Sequence, residues 1–164
     1  MTLTDKKKYL LIFTLIIIAD QVSKFFIKVH FSPNPYKFIT VIKNVFTIRY
    51  VENRGAVWGL FSDASHSMVP LIITGLSMIA LVVVIYYFLK LKAECKWELV
   101  SLSFIIGGAV GNNIDRIVQG YVVDFLDVLI GTYHWPTFNV SDSFISIGVT
   151  ILIFSIWRGK CTQF

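Results

Sequence analysis

Two aspartates of this chain stand in settings that suit acid–base chemistry. Asp124 lies inside the apolar stretch 122–126, and Asp142 lies at the mouth of a long apolar run. Two carboxyl groups held away from water are what general acid–base hydrolysis requires. Each also has a structural interpretation, since Asp124 and Asp127 suit a solvated loop and Asp142 suits a helix N-cap. Considered together, the two aspartates favour hydrolysis.

Other polar residues lie near the ends of the apolar runs, where an ionisable side chain is costly unless it is paired or used. Asp20 and Lys24 are four residues apart and share one helix face, which fits either a structural ion pair or a functional one. Asn112, Asp115 and Arg116 share a face with Gly108, because steps of three or four residues stack on a helix. Both faces are therefore candidate site surfaces.

Membrane helices must position these side chains. The chain of 164 residues is 55% hydrophobic and 15% charged, with a mean hydropathy of +0.70, whereas soluble domains average about 25% charged residues. A membrane span needs about 20 helical residues, and the apolar runs predict four spans in one domain, 1–164. Gly107 and Gly111 have a spacing typical of close helix packing, and we interpret them so. The predicted spans are about 9–29, 68–89, 99–118 and 143–157, with outer loops at about 30–67 and 119–142.

The basic residues predict the side of the membrane on which each loop lies. Lysines at 6–8, between spans two and three, and after span four mark these places as cytoplasmic. Residues 119–142 contain no Lys or Arg, although residues 30–67 contain four. With an even number of spans, we expect both termini in the cytoplasm. A lysine-led first segment is also typical of a cleavable signal peptide, but the apolar residues 25–27 favour a helix that continues to about Val29.

The composition argues against nucleic acid and metal as partners. In so apolar a chain, the net charge of +5 suits membrane orientation better than nucleic-acid binding. Cys95 and Cys161 fall on the reducing, cytoplasmic side of the predicted topology, so we expect no disulfide. Two distant cysteines and three scattered histidines do not form a metal motif. We therefore expect neither a metal nor a nucleic-acid site.

The outer loops contain extended segments. Residues 38–51 are dominated by β-branched and aromatic side chains, which predict one or two short strands. Residues 121–128 form a similar run. Because both segments are expected on the outer side of the membrane, they can pair into a small sheet on its surface.

At these same residues the chain resembles the bacterial lipoprotein signal peptidases, which are aspartic endopeptidases of the membrane that process prolipoproteins. Five motif blocks carry the resemblance, in the family's order and from the first span to the last. Any one block is weak, but five in order are specific. The blocks are 20–24, 53–59, 107–116, 122–125 and 138–143.

The resemblance implies that Asp124 and Asp142 are the catalytic pair, one activating a water and the other polarising the scissile carbonyl. It implies four transmembrane helices, a small extracytoplasmic β-sheet cradle and a short amphipathic helix at about 56–61. The expected substrate is a diacylglyceryl-modified prolipoprotein, cut before its lipidated lipobox cysteine, with no cofactor. We expect a monomer in contact with membrane lipid, its active site near the extracytoplasmic face. The expected supporting residues are Asp20, Lys24, Asn53, Gly55, Gly108, Asn112, Arg116 and Asn139.

Two other function classes remain as alternatives. A small transporter or channel subunit would pair its intramembrane charges along an ion path. Transporter sites tend to lie near the midplane between inverted repeats, whereas here the ionisable residues gather near one end and no repeat is seen. A noncatalytic assembly factor would tolerate the loss of either Asp124 or Asp142. A proteolysis assay with purified protein separates all three hypotheses.

Overall fold

Four helices and four strands make up the part of the chain that the computed structural model describes, residues 6–34, 36–55, 68–159 and 161. Two strands lie between the first and second helices, and two lie between the third and fourth helices. The elements are α1 (Lys7–Phe31), β1 (Phe38–Ile42), β2 (Phe46–Asn53), α2 (Val69–Lys90), α3 (Lys96–Gln119), β3 (Val122–Ile130), β4 (Tyr133–His134) and α4 (Val140–Trp157).

Three of the described helices, α1, α2 and α4, are long and apolar enough to cross a membrane. In their most apolar windows only 17%, 11% and 17% of the residues are buried inside the protein. Most of their side chains therefore face outwards, which suits a hydrocarbon solvent as apolar as the side chains themselves. The predicted helical membrane fold is confirmed.

Helix α3 differs from the other three because it packs against all of them. Its buried residues include Leu99 and Leu102, but also Asn112, Asn113 and Asp115. These polar side chains face other helices, where they find hydrogen-bond partners. The predicted third segment is therefore a helix, while its passage across the membrane stays a prediction.

Glycines let α3 approach its neighbours closely. A Cβ atom on Gly108 would collide with the backbone oxygen of Ser141 on α4, and one on Gly107 would lie 2.9 Å from the Cβ of Ile16 on α1. A Cβ on Gly111 would collide with the Ser141 hydroxyl. The packing interpretation of Gly107 and Gly111 is thus confirmed, and Gly108 has the same role towards α4.

The strands form one antiparallel arrangement in the order β1-β2-β3-β4. Phe38 of β1 lies opposite Arg49 of β2, and Val51 of β2 lies opposite Asp124 of β3. The register shifts between Thr40 and Ile42 of β1 and between Ile48 and Val51 of β2, which bends the sheet locally. The predicted pairing of the two loop segments is confirmed, and it carries Asp124 into the middle of the sheet.

The cysteines contradict one expectation. Cys95 and Cys161 form a disulfide with their Cα atoms 5.6 Å apart, although 66 positions separate them in the sequence. The reason is that α3 and α4 pack antiparallel, so the start of α3 meets the end of α4. The carboxylate of Glu98 lies in the same group, with all three ligand-type atoms within 4.8 Å. The two sulfurs are bonded to each other in the disulfide.

The amphipathic helix expected at 56–61 lies outside the residues that the structure describes.

Candidate active site

Two amide side chains hold Asp124, which lies on β3 and is only 2% exposed. Its Oδ2 accepts a hydrogen bond from Asn53 Nδ2 at 2.8 Å, and its Oδ1 accepts one from Asn139 Nδ2 at 2.7 Å. The backbone N–H of Gly55 donates to Asn53 Oδ1 at 2.9 Å and so orients the Asn53 amide. Both carboxyl oxygens of Asp124 are therefore held in fixed directions.

Asp142 lies in the first turn of α4 and is part of a capping box. The N-cap residue is Asn139: its Oδ1 accepts a hydrogen bond from Asp142 N at 2.9 Å, and its own N–H donates to Asp142 Oδ2 at 3.2 Å. Asp142 is the third helical residue, so the interpretation of Asp142 as the N-cap is wrong by position. Its other oxygen, Oδ1, accepts a hydrogen bond from Asn112 Nδ2 of α3 at 2.8 Å.

Asn139 connects the two carboxyl groups. It is completely buried, its Nδ2 binds Asp124, and its backbone and Oδ1 bind Asp142. The same Nδ2 also lies 3.2 Å from Asn112 Oδ1. A single buried amide thus fixes the start of α4 against β3 and brings the two aspartates into one site.

A buried ion cluster supports the site from the side of α1. Lys24 Nζ lies 2.8 Å from Asp20 Oδ2 and 3.0 Å from Asp115 Oδ2, and it donates to Asn112 Oδ1 at 2.9 Å. Asp20 Oδ1 accepts a hydrogen bond from the backbone N–H of Ser141 at 2.9 Å. The predicted pair of Asp20 and Lys24 is therefore an ion pair, and it is connected to both carboxyl groups through Asn112 and α4.

Arg116 adds a second positive charge near the site. It is half-buried and lies one turn after Asn112 on α3. Its guanidinium interacts electrostatically with Asp142, Asp124 and Asp115. Together with Lys24, it offsets part of the negative charge that the buried carboxyl groups concentrate here.

The surroundings of Asp124 change its acidity. Burial raises the pKa of its carboxyl from 3.8 to about 7, and the charge of Asp142 adds to the rise. The hydrogen bonds from Asn53 and Asn139 and the charge of Lys24 act in the opposite direction. Near neutral pH the carboxyl therefore exchanges readily between its protonated and ionised forms, which is the property of an efficient general acid or base.

A cavity of about 370 Å³ opens beside Asp142. Its wall is mostly the apolar face of α4 together with the aromatic residues that precede this helix, so a largely apolar chain fits it. A second, apolar cavity of about 290 Å³ lies at the opposite ends of α3 and α4. The residues that line the first cavity are Trp135, Phe138, Asp142, Ser143, Ile145, Ser146 and Ile147.

Comparison with known proteins decides the family. The sequence profile of signal peptidase (SPase) II matches residues 12–158. The chain belongs to the signal peptidase II family. It is 38% identical over 151 residues to the lipoprotein signal peptidase of Syntrophus aciditrophicus (strain SB), covering 90% of this chain and 92% of the relative. It is 40% identical over 151 residues to that of Francisella tularensis subsp. novicida (strain U112), covering 92% of each.

Solved structures agree with this assignment. A bacterial membrane enzyme determined by the in meso method at 2.3 Å resolution has a TM-score of 0.79 and 30% identity, covering 96% of this chain and 93% of its own. A second, at 1.9 Å resolution, has a TM-score of 0.75 and 34% identity, covering 91% and 92%. This signal peptidase II family member is therefore a bacterial membrane protein and a protease. Membership of a peptidase family argues against the transporter hypothesis.

The sequence reasoning missed Gln21. Its Nε2 donates to the backbone oxygen of Gly111 at 3.1 Å and to Asp115 Oδ1 at 3.1 Å, and it lies 3.2 Å from Asp20 Oδ2. Gln21 therefore joins α1 to α3 beside Lys24. The available signal was a polar amide between Asp20 and Lys24 inside an otherwise apolar helix.

The interpretation of Asp127 as a solvated loop acid is wrong. Asp127 is only 5% exposed on β3. Its Oδ2 lies 3.3 Å from Arg49 Nε and its Oδ1 lies 3.2 Å from His134 Nδ1. The physical reason is that β3 is an inner strand, so Arg49 of β2 and His134 of β4 cover its carboxylate. Asp127 is therefore unsuitable as a neutral control for changes at Asp124.

Proposed function

We propose that this signal peptidase II family member is an aspartic endopeptidase that removes the signal peptide from diacylglyceryl-modified prolipoproteins. The cut falls before the lipidated lipobox cysteine. The single observation that carries the mechanism is the joining of two carboxyl groups, the buried Asp124 and the half-buried Asp142, through one asparagine, Asn139. The names of the curated relatives, lipoprotein signal peptidases, support the substrate class.

In the proposed reaction the two carboxyl groups share one proton, because ionising both in a desolvated place is disfavoured by repulsion and burial. The ionised carboxylate takes a proton from a water molecule while the water oxygen attacks the scissile carbonyl carbon. The protonated carboxyl donates a hydrogen bond to the carbonyl oxygen, where negative charge develops. The peptide C–N bond then breaks, and the departing amine takes up the proton that the carboxylate accepted from the water, which leaves the pair with its one shared proton. The apparent pKa values belong to the pair, so we assign no fixed acid or base.

The remaining polar residues act as supports in this proposal. Asn53, Asn112 and Asn139 direct the carboxyl oxygens through the hydrogen bonds described above. Lys24, which is held by its ion pair with Asp20, and Arg116 stabilise the negative charge of the pair. Gly55 orients Asn53, and Gly108 permits the close contact between α3 and α4. Carboxyl chemistry of this kind needs neither metal nor organic cofactor.

We further propose a single domain, residues 1–164, with four membrane spans, both termini in the cytoplasm and the site near the extracytoplasmic face. The lysine distribution supports this orientation, whereas the Cys95–Cys161 disulfide, which this orientation places on the reducing side of the membrane, counts against it. The lipid tails of a prolipoprotein then stay in the bilayer beside the apolar face of α4, while water reaches the carboxyl groups from outside. We also propose that the protein is a monomer, in which β2, β3, α3 and the start of α4 supply the site.

The test is cleavage of a diacylglyceryl-modified prolipoprotein by purified variants in detergent. Asp124→Asn and Asp142→Asn keep the size of the side chain and remove its ability to take or share a proton. Each should lower kcat by at least about a hundredfold, the lower range for a lost general acid or base. Thermal unfolding of each variant establishes that it is folded.

The matched control is Glu94→Gln, because Glu94 is an exposed acid in the turn between α2 and α3. This variant should cleave at the wild-type rate. Near-normal cleavage by either Asp124→Asn or Asp142→Asn would refute the aspartic mechanism and favour the noncatalytic alternative for those residues.

A further inference from the structure

A second cluster of charged residues lies on the sheet, outside the carboxyl pair. Arg49 of β2 reaches across β3, where its Nε lies 3.3 Å from Asp127 Oδ2. Its Nη2 donates to the hydroxyl of Thr137 at 3.0 Å. His134 Nδ1 lies 3.2 Å from the other oxygen of Asp127. Arg49 and Asp127 thus connect the inner strands β2 and β3 to two residues that follow β3, His134 and Thr137.

The geometry makes Arg49 a bridge between two partners. The Nε contact with Asp127 is an ion pair rather than an aligned hydrogen bond, since Nε forms none. The Nη2 contact with Thr137 is a hydrogen bond. Because Asp127 is 5% exposed, its charge depends on Arg49 for compensation. The bridge therefore uses two different nitrogens of one rigid guanidinium.

The chain held by this bridge leads directly into the candidate active site. After Gly131 it returns along β3, with Trp135 N donating to Val128 O at 2.8 Å and Phe138 N donating to Leu126 O at 3.1 Å. The next residue is Asn139, which binds both carboxyl groups. We call residues 131–138 the return segment.

We propose that Arg49 is a positioning residue for the reaction: by fastening the return segment to β3 through Asp127 and Thr137, it sets the position of Asn139 and so aligns Asp142 with Asp124. This inference rests on the proposed function. Arg49 contacts neither carboxyl of the pair. It acts through Thr137, which lies only two residues before Asn139, so a small shift of the return segment passes directly to the start of α4.

The proposal can be tested by replacing Arg49 with lysine, because the two side chains share a charge but differ in geometry. A lysine restores the positive charge beside Asp127, but its single nitrogen cannot reach Asp127 and Thr137 in the geometry of a planar fork. If the bridge matters, Arg49→Lys should resemble Arg49→Met in activity. If only the charge matters, Arg49→Lys should be close to wild type.

The experiment measures kcat and KM for a synthetic diacylglyceryl-cysteine lipobox peptide, with thermal unfolding in the same detergent. Arg49→Met and Arg49→Lys should each lower kcat by about tenfold or more, because misplacement of reacting groups by about 1 Å costs up to about a hundredfold. Trp135 and Phe138 of the return segment line the cavity beside Asp142, so KM also changes when the segment moves, and kcat at saturating substrate is the readout of alignment. Lys43→Met, which removes an exposed charge from the same hairpin, should change neither constant.

A double variant separates positioning from stability. In Arg49→Met the carboxylate of Asp127 is left buried without its arginine, so the melting temperature should fall. Adding Asp127→Asn removes that charge, so Arg49→Met/Asp127→Asn should regain much of the melting temperature while kcat stays low. Recovery of kcat together with stability, or a kcat within twofold of wild type in the folded Arg49 variants, would overturn the inference. If Arg49→Met does not fold, the double variant and Arg49→Lys still decide the question.

The same assay distinguishes failure of this inference from failure of the proposed function. Wild-type cleavage that is lost in Asp124→Asn but kept in the Arg49 variants rejects only the positioning role. Absence of cleavage by the wild type, or cleavage by Asp124→Asn, rejects the proposed function itself.

Discussion

Replacing Asp124 with asparagine should make the stability of the protein depend less on pH. The pKa of this carboxyl is raised from 3.8 to about 7, first by burial and then by the charge of Asp142. A carboxyl whose pKa is raised in the folded state binds its proton more tightly there than in the unfolded chain. Its contribution to stability is therefore complete below about pH 4 and is lost as the pH rises through about 7.

The size of the effect follows from that difference in pKa. A rise of about three units corresponds to about 4 kcal/mol, at about 1.4 kcal/mol per unit. Asparagine has no proton to lose, so the free energy of unfolding of Asp124→Asn, relative to wild type, should rise by about 4 kcal/mol between pH 4 and pH 8. The asparagine amide also faces the donors of Asn53 and Asn139, but this cost is independent of pH and shifts only the baseline.

Thermal unfolding of both proteins in one detergent, from pH 4 to pH 8, measures the effect. A change of about 1 kcal/mol moves the melting temperature of a chain of this size by about 2–4 °C, so the gap between the two melting temperatures should change by about 10 °C. Glu94→Gln, at an exposed acid, should follow the wild-type curve throughout. A gap between Asp124→Asn and wild type that is constant from pH 4 to pH 8 would refute the reasoning, because Asp124 would then be ionised in the folded protein at all these values.

Three other changes have definite expected outcomes. Arg116→Lys should lower kcat by about tenfold in the peptide assay, because a point charge does not reproduce the planar guanidinium; unchanged turnover would mean that only the charge near the carboxyl pair matters. Gly108→Ala should destabilise the protein by more than about 1 kcal/mol, since its Cβ collides with the backbone of Ser141, and a melting temperature equal to wild type would contradict the α3–α4 packing. Reporter fusions after Lys92 should report from the cytoplasm and those after Thr132 from outside; a cytoplasmic signal after Thr132 would reject the proposed orientation.

The elements of the fold follow from local features of the sequence. The length of the apolar runs predicts helices that the structure contains, and the helix predicted at about 9–29 is two residues longer at each end, Lys7–Phe31. The β-branched segments predict the strands in the same way. Asp20 and Lys24 could be paired from spacing alone, because four residues on a helix always place two side chains on one face.

Residues that are close in the sequence were thus predictable, whereas contacts between distant elements were not. Asn139 was expected to support the site, but its position between Asp124 and Asp142 depends on how α4 meets β3. The sequence predicts a solvated acid at Asp127, because the strand order that places Arg49 beside it does not follow from its neighbours in the sequence.

The sequence by itself determined that this is an apolar helical chain with two unusual carboxyl groups and the motif blocks of one peptidase family. Only the tertiary structure decided that α3 packs against all three other helices, that Cys95 meets Cys161, and that one buried asparagine joins the two aspartates. The physical reason is that hydrophobic pattern and helix spacing act over a few neighbouring residues. The burial and hydrogen bonding that set the acidity of Asp124 come instead from β2, β3 and α4 together, and their packing fixes where the proton can be held.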